Sequence, residues 1–398
     1  MKYIKLVVIL ALVALSGCAN QAADHPSLDV PDWMDDGIST GEVSDVGLNS
    51  APLSQAVADI DAGKFGEIHS MLVYKDGLLV MEEYFPGHKY QWVQPNYHGV
   101  YVNWDHYHRH NIMSAGKSFI SALVAIAIDQ GHINSVQDSI WAYLPNHQHL
   151  QTEEKNAITI EHLVTMTSGL EWDEWSAPYL TDANSIIDLW VNCTDQIACI
   201  LSHDIVHQPA SHFTYSGGDM ILLGEIVQNA TGEDIDDYLE QQLLEPLGIP
   251  RTVWLRFDNG IANTSGELHL TPREMLKFGI LYLNDGEWEG EQLIPAEWVE
   301  KCKTPYTGKN SSWLNTAIWP IPGDDGTWGR RGYAYTWWTH RLSGSGHKVD
   351  IFYASGFGGQ QIFVIPELDI VVVFTGGNYQ QMLPNMKIIR RYILPAVE

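Results

Sequence analysis

Hydrophobic and polar positions divide the chain into three stretches. Near the start, two apolar runs, His69 to Tyr74 and Leu78 to Tyr84, flank Lys75-Asp76-Gly77. Asp-Gly between two such runs predicts a hairpin. A short amphipathic helix, Leu53 to Ile60, precedes them, and a long loop rich in aromatics and histidine, Pro86 to His110, follows. In the middle, apolar residues fall on nearly every side of the run Leu123 to Ile128, which predicts a buried helix starting near Ser114. Gly131 suits the left-handed residue that closes such a helix. Further helices are expected from a cap at Thr159 to Gly169, over Asp182 to Ile200, from Met220 to Ala230 ahead of Gly232, and over Asp234 to Leu244. Toward the end the pattern mixes. A helix opens at Thr271-Pro272 and stops near Asp285-Gly286, a short one covers Pro295 to Cys302, and one closes the chain from Met382 to Tyr392. Between them Tyr333 to Thr339, Lys348 to Ala354, Gln361 to Ile365 and Ile370 to Phe374 read as strands, the last two joined by a turn at Pro366 to Asp369. Strands at both ends with helices between them make an α+β protein.

Composition changes this picture little. With 398 residues, 45% hydrophobic and 18% charged, the chain has ample material for a core. Charge says more about partners. The 22 basic and 49 acidic residues leave −27, a surface that repels nucleic acid and anionic lipid head groups, so no nucleic-acid partner is expected.

The N-terminus reads as an address. Lys2 and Lys5 flank an apolar region, Leu6 to Leu15, too short to span a bilayer. Leu15-Ser16-Gly17-Cys18 then resembles the bacterial lipobox, which makes residues 1–17 a signal peptide and Cys18 the lipidated N-terminus. Ala19 stands where an inner-membrane retention signal would have Asp, so the expected place is the periplasmic side of the cell envelope, at the outer membrane. Cleavage would remove two lysines and no acid, taking the charge from −27 to −29. The polar stretch to about residue 50 reads as a tether, 18–50. Cys193 and Cys199 are placed to bridge a small loop in an oxidising compartment, or to remain thiols.

Candidate chemistry begins in His110-Asn111-Ile112-Met113-Ser114-Ala115-Gly116-Lys117. Ser114 and Lys117 are three residues apart and share a helix face. A helix N-terminus favours an oxyanion, and a lysine in its neutral form can take a serine's proton. The same spacing also describes a serine cap beside a solvated lysine. Tyr215 sits in Phe213-Thr214-Tyr215-Ser216-Gly217-Gly218-Asp219, a tight loop before a helix. A buried tyrosine with its hydroxyl satisfied reads the same way. His106, His108 and His110 alternate but lack supporting zinc-ligand spacing, so they read as a polar loop near the mouth of the site. No metal and no cofactor are expected.

Ser114-x-x-Lys117, Tyr215 and the glycine-rich strand end Ser355-Gly356-Phe357-Gly358-Gly359-Gln360 occur in this order. With Thr165-Met166-Thr167-Ser168-Gly169-Leu170 and Glu245-Pro246-Leu247-Gly248-Ile249 they resemble the serine β-lactamase and penicillin-binding-protein superfamily. The branch it resembles most is that of class C β-lactamases, family VIII esterases and 6-aminohexanoate-dimer hydrolases. The resemblance runs from His69 to the C-terminus. It implies an antiparallel sheet with flanking helices beside a helical domain, within residues 51–398. The helical part would be about 113–264, and the sheet part 51–112 and 265–398. It makes Ser114 the nucleophile, Lys117 its proton acceptor and Tyr215 the acid or base toward leaving group and water. The N–H groups of Ser114 and Phe357 would bind the oxyanion. Ser355 and Gly356 would edge the substrate, and Trp172 and Trp175 would either wall an acyl pocket or stand as ordinary core or surface tryptophans.

Two departures direct the expected substrate. Ser216-Gly217 replaces the usual x-Asn after the tyrosine, and Ala354-Ser355-Gly356 stands where the family has Lys-Thr-Gly, unless Lys348 or His347 supplies the cation. The implied activity is therefore hydrolysis of a small ester or amide by a lipid-anchored enzyme. The alternatives are a β-lactamase or D-Ala-D-Ala peptidase and, in another class, a non-catalytic penicillin-binding-like envelope protein.

Overall fold

A computed structural model describes residues 28–306 and 331–398 apart from 94, 180 and 380–382. Residues 1–17, expected to be a signal peptide, and Cys18 lie outside the described residues.

A seven-stranded sheet organises the molecule, in the order β2-β1-β13-β12-β11-β10-β9. The first pair, β1 (Ile68–Lys75) and β2 (Leu78–Tyr84), turns at Asp76 and Gly77, both with positive φ (46° and 88°). These are the backbone angles a two-residue hairpin needs, so the Asp-Gly signal is obeyed. The loop expected over Pro86 to His110 holds a further hairpin, β3 (Gly87–Tyr90) with β4 (His98–Val102). Short strand β5 (His110–Asn111) pairs with β6 (His269–Leu270), and β7 (Glu287–Trp288) with β8 (Glu291–Gln292). The expected strand Tyr333 to Thr339 is two strands. β9 (Arg331–Ala334) and β10 (Trp337–Gly344) meet at Tyr335 and Thr336, which have φ of 50° and 76°. Their aromatic, β-branched composition hid the turn. The sheet is completed by β11 (His347–Gly356), β12 (Gln360–Ile365) and β13 (Ile370–Gly376).

Both faces of the sheet are covered. Along β13, Val371 and Val373 enter the core shared with the helical part, while Ile370, Val372 and Phe374 enter a second core on the other face. The period-two alternation thus serves two apolar layers, so β13 is buried throughout. On the second face lie α1 (Ser50–Asp61) and the C-terminal turns α10 (Asn385–Ile388), 389–393 and α11 (Leu394–Ala396). The helical layer centres on α2 (Lys117–Asp129), buried from Lys117 to Ala127 as its all-round apolar pattern requires. Gly131 follows it with φ 78°. Beside α2 lie α6 (Gly217–Thr231), closed by Gly232 at φ 75°, and α8 (Pro272–Leu283), opened by a Thr271–Glu274 capping box. The smaller helices are α3 (Ile160–Val164), α4 (Ser185–Val191), α5 (Gln196–Ser202), α7 (Ile235–Leu239) and α9 (Ala296–Lys303). α3 stops five residues short of the expected Gly169, which turns with φ 81°.

The stretch expected to be a tether, 18–50, overlaps the folded part. Residues 28–49 are part of the fold: Ile38, Val43, Val46 and Leu48 are buried, and Thr40 pairs with Leu79 beside β2. Arg273 fixes this segment, donating to the Asp32 carbonyl at 2.7 Å and to Asp36 at 3.2 Å while pairing with Glu82. Four apolar residues spaced among Asp, Ser and Gly carry too weak a period to mark a packed segment. Cys193 and Cys199 form a disulfide at the start of α5.

Candidate active site

Ser114 lies in a single tight turn, Met113–Gly116, from which α2 continues at Lys117. Pairing of β5 with β6 delivers the chain to this turn. Met113 takes a left-handed φ of 52°, and its N–H donates to Asn111 Oδ1 at 2.9 Å. Asn111 in turn donates to Glu267 Oε2 at 2.5 Å. A strained backbone just before the serine is thus held by a side chain and, behind it, by a half-buried carboxyl. Burial pushes the Glu267 carboxyl above the ordinary range; the Asn111 hydrogen bond and the nearby Lys117 charge work against this.

Lys117 is buried, and its Nζ lies 3.0 Å from Ser114 Oγ. The same Nζ donates to the Ser265 carbonyl. Two contacts aim the amine at the nucleophile at proton-transfer distance. Tyr215 presents its ring 5.0 Å from this Nζ. Its ring lies near parallel to Trp175, at 5.0 Å, and to Trp338, at 6.0 Å, and those two are 6.5 Å from each other, so the three rings cluster. Among the described residues no hydrogen bond joins the Tyr215 hydroxyl to Ser114 or Lys117. Ser114, Lys117 and Tyr215 are nonetheless brought together from a turn, a helix start and a loop about a hundred residues away.

β11 ends against the nucleophile turn. A Cβ on Gly356 would come within 2.2 Å of the Ile112 carbonyl and 3.2 Å of the Ala115 nitrogen, so only glycine permits this approach. Phe357, next in the chain, lines the pocket with Ser114. Ser355 points elsewhere, its Oγ accepting from Gln361 at 2.8 Å on neighbouring β12. It is not among the pocket's lining residues.

The pocket has a volume of about 400 Å³, suited to a small molecule. Its walls include Tyr90, Trp92, Tyr179 and Trp190, with Glu174 and Glu267 and, among the described residues, one cation, Lys117. Trp172 does not wall it. It is buried behind the site against Gly218 and donates to Glu174 Oε1 at 2.7 Å. Glu174 also accepts from the Gly217 N–H, tying the Tyr215 loop to the pocket wall. Trp175 stands by Tyr215, partly exposed. Burial, with Glu174 beside it, drives the Tyr179 hydroxyl far up. Asn111, Glu174, Ser265 and Glu267 carried no recognisable spacing, and only folding reveals them.

The possible substitutes for the missing strand cation are excluded. Lys348 and His347 start β11, while Gly356 ends it. At ~3.3 Å per residue the eight-residue interval puts Lys348 roughly 26 Å from the site. Lys348 lies instead beside Ser343 at the far end of the sheet. The three loop histidines separate: His110 is buried on Trp104 at 3.9 Å, His108 pairs with exposed Asp105, and His106 packs by Tyr107. His110 is thus core rather than a polar loop at the mouth, because β5 turns its ring inward.

The Beta-lactamase family model matches residues 67–385. The chain belongs to the Beta-lactamase family. Its antiparallel sheet with flanking helices is that family's fold. Protein flp of Staphylococcus aureus strain N315 is 25% identical over 190 residues, 48% of this chain and 35% of that protein. The chain thus spans about a third of the length of such curated relatives. Among solved structures, EstCE1, a hydrolase with promiscuous acyltransferase activity, superposes with a TM-score of 0.63 at 13% identity, covering 89% of this chain and 100% of that one. A D-stereospecific amidohydrolase from Streptomyces sp. does so at 0.58 and 14%, covering 86% and 98%. These identities speak for the fold alone.

Proposed function

We propose that the protein is a serine hydrolase that cleaves a small ester or amide through an acyl-enzyme on Ser114. The observation that carries this is Lys117 Nζ, buried and 3.0 Å from Ser114 Oγ, at a pocket of about 400 Å³. In the reaction Ser114 Oγ attacks the carbonyl carbon as its proton passes to the Lys117 amine. The carbonyl oxygen becomes an oxyanion facing the N–H groups of Ser114 and Phe357. The C–O or C–N bond then breaks, and the leaving group takes a proton by way of Tyr215 or Lys117. Water repeats the sequence on the acyl-enzyme and frees Ser114.

The pocket's charge supports a neutral or cationic substrate over an anionic one. It is lined by two carboxyl side chains, and the strand position that would hold a cation is Ala354. A charge-assisted contact contributes ~1.5–3 kcal/mol, so its loss would lower kcat/KM on a β-lactam by roughly one to two orders of magnitude. Short acyl esters should therefore be turned over faster than nitrocefin. Ser114→Ala should abolish both that turnover and labelling by a fluorophosphonate. Turnover of any cleaved ester at the wild-type rate in that variant would refute the assignment. Nitrocefin hydrolysis above the esterase activity would return the protein to the β-lactamases, and a wild type inert to esters, amides and the label would make it a non-catalytic envelope protein.

The proposed place of action is the periplasmic side of the bacterial envelope, through lipid on Cys18. Leu15-Ser16-Gly17-Cys18 supports this. No helix among the described residues is long and apolar enough to cross a membrane. Mass spectrometry of the native N-terminus tests the anchor: an acylated Cys18 supports it, and a mature chain without one refutes it.

A further inference from the structure

Outside the pocket, Glu67, His88 and His98 bring one carboxylate oxygen and two ring nitrogens within 4.8 Å of one another. It is the one such grouping among the described residues. We propose that these three side chains, with His69, form a binding site for a divalent transition-metal ion of the zinc class.

The donors are gathered, and binding would swing one imidazole out of its stack so that both ring lone pairs meet one ion. His98 Nε2 donates to the Gly377 carbonyl at 2.9 Å, and a carbonyl only accepts, so that nitrogen carries the proton. The lone pair of a neutral His98 is therefore on Nδ1, which accepts from Asn96 Nδ2 at 3.1 Å and lies 3.8 Å from Glu67 Oε1, so an ion would take the place of the Asn96 contact. A backbone carbonyl that fixes the tautomer in this way is the usual outer support of a metal-binding histidine. His88 Nδ1 lies 2.6 Å from Glu67 Oε1, and the His88 N–H donates to Oε2 at 2.9 Å. The two rings are stacked, 4.5 Å apart and within 4° of parallel. Glu67 is held through its backbone: its N–H donates to Asn378 Oδ1 at 3.0 Å, and its carbonyl accepts from the Gly377 N–H at 2.9 Å.

His69 is the independent observation. It is fully buried, and neither ring nitrogen has a hydrogen-bond partner. Its Nε2 lies 3.6 Å from Glu67 Oε2, so an unpaired donor is aimed at the same carboxylate. Glycines wall this space. A Cβ on Gly87 would meet His69 Nε2 at 2.4 Å, and one on Gly377 would meet Glu67 Oε2 at 2.6 Å. Zinc bonds of ~2.0–2.1 Å in a tetrahedron set donors about 3.3 Å apart; His88 and His98 Nδ1, at 2.6 and 3.8 Å from Glu67 Oε1, fall on either side of that value, and His69 Nε2 is 3.6 Å from the other oxygen, Oε2. Imidazoles with one carboxylate suit zinc and its neighbours, whereas calcium and magnesium prefer oxygen alone. Binding would displace the proton between His88 Nδ1 and Glu67. The side chains of Glu67, His88 and His98 are 25%, 33% and 20% exposed, which gives an ion a way in.

The ion would fasten the β3–β4 hairpin, through His88 and His98, to the start of β1, through Glu67 and His69. That hairpin carries Tyr90 to the pocket, and the loop between its strands carries Trp92 there. Tyr97 of the same loop packs edge-on against Phe357 at 5.3 Å, and Asn378 bridges Gly358. The metal's part is positional, and its binding does not depend on the reaction assigned to Ser114.

The test is calorimetric titration of zinc chloride into full-length protein, freed of any affinity tag and treated with chelator, alongside cobalt absorption and thermal melting. One equivalent of zinc should bind and raise Tm. His88→Gln and His98→Gln should each weaken binding by 100-fold or more and remove the thermal shift. His106→Gln with His108→Gln should change neither. Should the ligand variants fail to fold, zinc-loaded wild-type crystals decide, by an anomalous peak within coordination distance of Glu67, His88 and His98. No stoichiometric binding by the wild type, binding that survives in the folded His88→Gln/His98→Gln variant, or a peak elsewhere overturns the site and leaves a hydrogen-bonded structural cluster.

Discussion

Replacing Gly356 by Ala adds one methyl group where the end of β11 meets the nucleophile turn. The backbone angle at this position tolerates alanine, since Gly356 is not among the glycines with positive φ. The obstacle is space: the new Cβ would lie 2.2 Å from the Ile112 carbonyl oxygen and 3.0 Å from Met113 Cβ. A tolerable carbon–oxygen contact is ~3.3 Å, so strand and turn must separate by roughly 1.1 Å. Both proposed oxyanion donors lie at this junction, on Ser114 and Phe357. A misplacement of ~1 Å can lower rate by about 100-fold. That corresponds to about 2.7 kcal/mol of lost transition-state stabilisation. Overpacking should also cost ~1–3 kcal/mol of stability. The assay is kcat and KM on p-nitrophenyl butyrate, with melting of the same preparation to show that the variant is folded. The loss should fall mainly on kcat, because the pocket walls from other elements stay in place. A folded Gly356→Ala protein with wild-type kcat would refute the reasoning and move the oxyanion site away from this strand end.

Lys348→Ala should leave the ratio of ester to nitrocefin turnover unchanged, because Lys348 is at the far end of β11; a specific fall in nitrocefin turnover would show that it reaches the site. Arg273→Ala should destabilise by ~3–5 kcal/mol in denaturant unfolding, since it strands buried Glu82 and frees residues 32 to 36. Asp59 is held below the ordinary carboxylate range by hydrogen bonds from Lys64 and then Tyr392. Its folded value is the lower one, so its stabilisation is present above the unfolded value of 3.8 and is lost as pH falls below it. Asp59→Asn should accordingly be less stable than wild type at neutral pH, and the difference should narrow on acidification, as read from urea unfolding across pH.

Periodicity made most of the scaffold legible. All-round apolar residues marked α2 as buried, and Asp76-Gly77, Gly131 and Gly232 took the positive φ angles expected of their positions. Ser114, Lys117 and Tyr215 were legible as types in order, and the structure places them together. Local pattern failed where the deciding contact was distant. Residues 28–49 are polar by composition, yet four scattered apolar side chains and Arg273 hold them to the fold. The strand expected over Tyr333 to Thr339 folds back on itself at residues whose propensity favours extension. Trp172 had the chemistry of a pocket wall, but tight approach to Gly218 turns it into the core. Asn111 and Glu267 are 156 positions apart and meet only because β5 pairs with β6. Glu67, His69, His88 and His98 show no ligand spacing along the chain, and their donors converge because a hairpin folds back over the start of β1. A sequence determines which faces must be buried, since burial follows from period and side-chain type. Which polar atoms then meet is set by strand order and by close backbone approach, both of which depend on residues hundreds of positions away.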